Sequence, residues 1–421
     1  MRGGGMSGAR DDARPRRVAV AAVCDIANYG DQLFPLIAAH RLAPLGIAVE
    51  AVAPGAAHRL RPGALTPRSL DWLLAGGEML DGVLIGGGNI VYNLRADYLA
   101  RSGARDSWLG QGLHTGLWLG AALAAAIRDI PFGFNAPGLP YPFSGATARD
   151  VLRPVLQAAD CCAFRDAASA RLAEAAGVAV QQVPDTAIEI ARMWPRDGLA
   201  PAAEAEGQPY AALHLRLAGE PEAHLAAVAA LLDGFCTGQG LRPLLIAIGD
   251  DLGDGAAARR LAAAMTVPAR VLGGDRSLQA VAAAIAGARI YLGGSLHGYV
   301  TAAAYGVPGL VVTAQPLRKF AGFLDWMERP ADLATDWAAA CARAVPLLAG
   351  GRVVVPDRIW QALDAHWAAV AAMLEAPQRR RAERAAMLRA LTLRAVSRQG
   401  GGGLEWLMAG WHPPSARART A

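Results

Sequence analysis

Cysteine is scarce and poorly spaced for metal work. The five present are Cys24, Cys161, Cys162, Cys236 and Cys341, and no two stand in a CxxC pair. That excludes a paired-thiolate metal framework and a disulfide scaffold, and it fits a reducing, cytoplasmic compartment. Long hydrophobic runs are also lacking. The longest uncharged stretch, Ile290 to Leu317, is broken by His297, Pro308 and several glycines, whereas a membrane span takes about 20 consecutive apolar residues. The N-terminal "MRGGGMSGARDDARPRR" holds no apolar segment of the secretory type. Lysine is nearly missing: Lys319 is the only one. Charge of one sign is modest, since 41 basic against 36 acidic residues leave a net +5. Much of that excess sits in "ARPRR" near the start and "QRRRAERAAMLRALTLRAVSRQ" near the end. No basic stripe interleaved with aromatics appears, which argues against nucleic acid as a partner. The basic C-terminal run reads first as a solvated helix face, with peripheral contact to acidic membrane lipids or polymers as the alternative. Neither GxSxG nor HExxH occurs, and no Gly-Lys-Ser/Thr of a P-loop follows the glycines.

What is present is apolar and alternates between strand and helix patterns. Hydrophobic residues make up 53% and charged ones 18%, enough to bury a large core. A length of 421 residues exceeds one ordinary core and implies two domains. Apolar runs rich in valine and alanine, such as "RVAVAAVCDI" (17–26), "IAVEAVAP" (47–54) and "DGVLIGGGNIVY" (81–92), read as buried strands. "PFGFNAPG", "CCAFRD" and "VAVQQVPD" (178–185) continue the series, with helical segments between them. The segment "RDGLAPAAEAEGQPY" (196–210) reads as a linker, after which the pattern restarts with "YAALHLRLAG". The expected architecture is α/β: two Rossmann-like lobes with mostly parallel sheets, at 17–200 and 208–355, facing across a cleft. Residues 356–395 read as terminal helices, and 1–16 and 396–421 as disordered tails.

Several residues carry chemistry in this frame. In "GGSLHGYVTAAAYGVP" (293–308) a strand ends, Ser295 is a natural N-cap, and His297 and Gly298 fall in the first helical turn. Helix N-terminal amides attract anions, phosphate especially, and a histidine there is placed to move a proton. The plainer alternative is a core histidine bonded to a carbonyl. In "ANYGDQL" (27–33) Asn28 and Gly30 suit a tight turn and Asp31 suits a helix cap, or Asn28 and Asp31 face a sugar hydroxyl. "IGGGNIVYN" (85–93) offers close approach at Gly87 and Gly88 and an amide at Asn89. Arg165 ends a strand and suits an anion or an ion pair; Asp185 suits a loop cap. His214 and Arg216 lie at the first strand of the second lobe. Arg318 and Lys319 follow the last strand and face either an anion or solvent. Asp250, Asp251 and Asp254 lack metal-loop spacing, and "HWAAVAAML" (366–374) reads as helical core.

In order along the chain, "NYGD", "GGGN", "FRD.AS..L", "VPD.A", "GSLHG......GVP" and "KF" resemble the polysaccharide pyruvyl transferase family, over roughly residues 17 to 330. The resemblance implies a glycosyltransferase-B-like fold with the acceptor on the N-terminal lobe and the donor on the C-terminal lobe. It implies transfer of a pyruvyl group from phosphoenolpyruvate to a sugar diol of a polysaccharide or its precursor, giving a cyclic ketal, with no metal and no cofactor beyond the donor. His297 would be the acid/base; Arg165, Arg318 or Lys319, with the amides after Ser295, would clamp the donor, and Asn28 and Asp31 would face the acceptor, Asp31 as a candidate base. One departure stands out: Ser295 occupies a position where the family often has arginine. The competing readings are a nucleotide-sugar glycosyltransferase and a non-catalytic relative that binds within an assembly. Which sugar accepts, and how many copies assemble, are not written in the sequence.

Overall fold

The structure, a computed structural model, describes residues 14–55, 60–76, 78–92, 113–216, 221–315 and 318–398. The expected tails therefore fall largely outside the described residues. Among the described residues seven strands build the first sheet: β1 Arg16–Ala21, β2 Ile47–Ala53, β3 Arg68–Ser69, β4 Gly82–Ile85, β5 Phe132–Phe134, β6 Cys161–Phe164 and β7 Gln181–Gln182. Six build the second: β8 Tyr210–His214, β9 Arg242–Ile246, β10 Arg270–Leu272, β11 Ile290–Gly293, β12 Gly309–Val312 and β13 Leu333–Ala334. The orders are β3-β2-β1-β4-β5-β6-β7 and β10-β9-β8-β11-β12-β13, and every pairing is parallel. The central strands are near-continuous apolar runs, because helices cover both faces of each sheet. Val18, Ala19, Val20 and Ala21 of β1 are wholly buried. The strand expected over 178–185 shrinks to Gln181–Gln182, an exposed edge that Pro184, with no N–H to donate, cannot extend.

Strand order reverses between β1 and β4 in one sheet and between β8 and β11 in the other. Crevices open beyond the C-terminal strand ends at such switch points. Here the two crevices meet, so residues just after these four strands face one another.

The lobes are clasped rather than loosely hinged. The Tyr29 N–H donates to Ile248 O at 2.9 Å and the Asp250 N–H to Ala27 O at 3.0 Å; Tyr29 and Thr301 share a hydroxyl hydrogen bond of 3.0 Å. Arg61, 1% exposed, donates from the first lobe to the carbonyls of Ala247, Ile248, Gly273 and Arg276 in the second. Burial holds its pKa below the usual arginine range. The helices Asp357–Glu375 and Arg381–Arg398 return to the first lobe, the second running past residue 396, where a tail was expected. There His366 Nε2 meets Asn135 Oδ1 at 2.8 Å, and the Trp367 indole donates to Glu189 at 2.6 Å.

Arg61→Met leaves several interlobe carbonyls without donors. The expected loss is about 3 kcal/mol, read as a lower denaturant midpoint. A variant as stable as the parent would sink the clasp.

Candidate active site

A cleft of about 750 Å³ lies between the lobes. Ser295 caps the helix Leu296–Ala304, its hydroxyl accepting from the Gly298 N–H at 3.3 Å, as the sequence implied. His297 follows in the first turn, with its ring set against the other lobe. A Cβ on Gly30 would sit 1.7 Å from His297 Nδ1, so only glycine leaves room for the ring. Phe34 meets it edge-on at 5.4 Å, and Phe34 in turn occupies the space a Gly87 side chain would need. Gly298 is small for a similar reason, since a Cβ there would lie 2.2 Å from the Tyr291 hydroxyl. Gly30, Gly87 and Gly298 therefore shape the site from behind.

Asp185 is the residue the sequence undersold. Oδ1 caps Ala187 N at 3.1 Å, the role expected for it. Oδ2 takes Arg165 Nη1 at 3.2 Å and stands 3.7 Å from His297 Nε2. Burial raises this carboxyl, but His297, Arg165 and the Ala187 amide outweigh it and hold it at about 2. It is a fixed anion beside the imidazole. Nothing in sequence spacing ties residue 185 to residue 297.

Arg165 corrects an expectation. It lies in the cleft wall, yet its guanidinium is occupied by Asp185, by Asn89 Oδ1 and, at 3.6 Å, by Asp166. At 4% exposure it braces the wall through these pairs and lends it positive field. Asn89 is committed to it by the same bond. Asn28, not Asp31, caps the Tyr29–Leu42 helix, accepting from Gly30 N at 3.2 Å. That leaves Asp31 free of capping, half-buried and against Gly88 in the cleft wall. Burial raises its carboxyl above the ordinary aspartate value, against the pull of His297, Lys319 and Arg165.

Arg216, Arg318 and Lys319 line the second-lobe wall. Among the described residues none of the three has an ion-pair partner. Burial first, then the charges of Arg216 and Arg165, push Lys319 down to about 8, against Asp31 and Asp185. Beside them, buried His214 and Asp254 share a 2.8 Å bond, and Asp254 also accepts Gly249 N at 2.6 Å. The pair stiffens the strand end that carries Arg216. Among the described residues no group of acidic, histidine or cysteine side chains is arranged to hold a metal.

Two parallel-sheet lobes with a cation-lined cleft at their joined switch points define a glycosyltransferase-B-type fold. A candidate UDP-N-acetylglucosamine 2-epimerase from Listeria monocytogenes shares that fold, with a TM-score of 0.53 and 14% identity over 84% of this chain and 97% of its own. The UDP-N-acetylglucosamine 2-epimerase of Rickettsia bellii gives 0.51 and 12% over 86% and 98%. A search of curated protein sequences returns no match. The chain belongs to the polysaccharide pyruvyl transferase family, whose model matches residues 28–316.

Because Lys319 is the only lysine, amine-directed labelling read by peptide mass spectrometry follows it alone among side chains. Its reactivity should rise with a midpoint near pH 8, and Arg216→Gln should move that midpoint up by removing a like charge. A midpoint near the free-lysine value of about 10 would contradict the buried, cation-flanked site. Gly30→Ala should reposition the His297 ring, seen as changed imidazole NMR shifts, although alanine is the better helix former by about 1 kcal/mol. Unchanged shifts would mean that the ring does not need this space.

Proposed function

We propose that the cleft transfers a pyruvyl group from phosphoenolpyruvate to two hydroxyls of a saccharide, forming a cyclic ketal and releasing phosphate. The observation that carries this reading is His297 at a capped helix start, lining one cleft with three cations that have no ion-pair partner among the described residues, and with Asp31 on the facing wall. A donor bearing both phosphate and carboxylate suits Arg216, Arg318, Lys319 and the first-turn amides. Arg216 reaches this wall from the end of β8, close to Gly294, and supplies the positive charge that Ser295 does not.

His297, beside Asp185, gives a proton to C3 of the enol, and positive charge develops at C2. One acceptor hydroxyl attacks C2 and loses its proton to Asp31. The C2–O bond to phosphate breaks, and the second hydroxyl closes the ring. As the ring closes, the second hydroxyl gives its proton to His297, replacing the one passed to C3, and Asp31 hands the first hydroxyl's proton to the departing phosphate, so the balance closes without a redox step. Asp31, raised by burial, is a stronger base than an exposed aspartate. The acceptor is a polysaccharide or its precursor. No described helix is long and apolar enough to cross a membrane.

Phosphate release from phosphoenolpyruvate with saccharide acceptors tests this. His297→Ala should lower kcat by about 10²–10⁴-fold, and Lys319→Met should raise KM for the donor. Lys319 loses its charge as pH rises through about 8, so kcat/KM for the donor should fall on that side. Consumption of a nucleotide sugar instead, or equal turnover by His297→Ala, would overturn the reading.

A further inference from the structure

The two walls of the cleft differ in kind. Among the described residues its unpaired cations, Arg216, Arg318 and Lys319, belong to the second lobe. The first-lobe wall presents Asp31 and Asn28, the braced Arg165, and an aromatic pair. Tyr92 and Tyr141 stand with ring centroids 6.0 Å apart and planes inclined by 34°, and both line the cleft. Tyr141 is 52% exposed, a large ring left at the cleft wall with no core to fill.

The pair is well supported. Tyr92 follows β4 and Tyr141 follows β5, and the two loops are stitched together. Gly138 N donates to Gly88 O at 2.7 Å, and Val91 N to Gly138 O at 3.3 Å. The buried Trp118 steadies both: its indole N–H donates to Tyr92 O at 2.9 Å, and its ring meets Phe143 edge-on at 5.9 Å. Leu139 N is held by Ser169 Oγ at 2.9 Å. Rings set on a braced backbone lose little freedom when a ligand arrives.

We propose that Tyr92 and Tyr141 are the platform for a pyranose ring of the acceptor; this rests on the reading that the cleft works on a saccharide. One face of a pyranose carries C–H bonds with partial positive charge, which suits the electron-rich face of an aromatic ring. The hydroxyls at its rim stay available to Asp31 and Asn28 on the same wall. A neutral sugar gains little from the cationic wall, whereas an anionic donor gains much, so the two ligands sort onto opposite walls. The ligand class is a neutral pyranoside with at least one face free of axial substituents.

Saturation-transfer NMR on the full chain, with methyl glucoside, galactoside and mannoside as probes, tests the platform. At least one probe should receive saturation on the C–H protons of one face. The signal should vanish in Tyr141→Ala and Tyr92→Ala and persist in Tyr141→Phe. In turnover, Tyr141→Ala should raise KM for that glycoside about tenfold with phosphoenolpyruvate affinity unchanged, which also shows that the variant is folded. Unchanged transfer and KM in Tyr141→Ala, or an equal loss of phosphoenolpyruvate affinity, would overturn the platform. If phosphoenolpyruvate neither binds nor turns over while glycoside transfer still depends on both tyrosines, the platform stands and the pyruvyl reading falls.

Discussion

The site depends on one steric fact: the His297 ring occupies the volume where a Gly30 side chain would be. His297 belongs to the second lobe and Gly30 to the first, so the histidine is positioned by a surface its own lobe does not supply. The register of the Tyr29 helix must hold to a fraction of a turn for this to work. That register is set by the Asn28 cap, by the main-chain bonds to Ile248 and Asp250, and by Arg61 reaching across to four carbonyls. The space requirement propagates further. Phe34 touches the imidazole edge-on, and it fits because Gly87, at φ +86°, has no side chain. Two glycines on separate elements thus serve one ring.

Electrostatics divides the same cleft. In the first lobe Arg165 is paired with Asp185, Asp166 and Asn89, which leaves Asp31 as the acidic group on that wall. In the second lobe Arg216, Arg318 and Lys319 leave a net positive wall. A chain whose basic residues are otherwise all arginine uses lysine here. Arginine stays charged at any ordinary pH, whereas burial and like charge tune an ammonium readily. Burial and the neighbouring arginines therefore bring the Lys319 ammonium down to about 8. Asp185, held far below the aspartate range, keeps its charge throughout and balances the imidazole.

Much of the fold was legible because its signals are local. Buried parallel strands are continuous apolar runs, and the glycine and asparagine breaks mark their ends, so both sheets and the Ser295 cap followed from short stretches. The site was legible in membership more than in role. Asn28, Asp31, Asn89, Arg165, His297 and Lys319 do converge, yet Arg165 turned out to be a brace and Asn28, rather than Asp31, the helix cap. Side-chain partners are decided by which loops meet in space, and spacing carries no trace of that. The same holds for Asp185, whose local capping role masked its contact with His297, and for the pairing of Tyr92 with Tyr141, which no spacing marks.

The amino-acid sequence by itself determined the alternation of strand and helix, the two lobes, the family and the placing of His297 at a helix start, since each rests on residues within a few turns of one another. Only the tertiary structure decided that Gly30 exists for His297, that Arg165 is already paired, and that the cations gather on one wall and the aromatic rings on the other. Those outcomes depend on joining two switch points across a lobe boundary, where residues more than a hundred positions apart share one volume and one field.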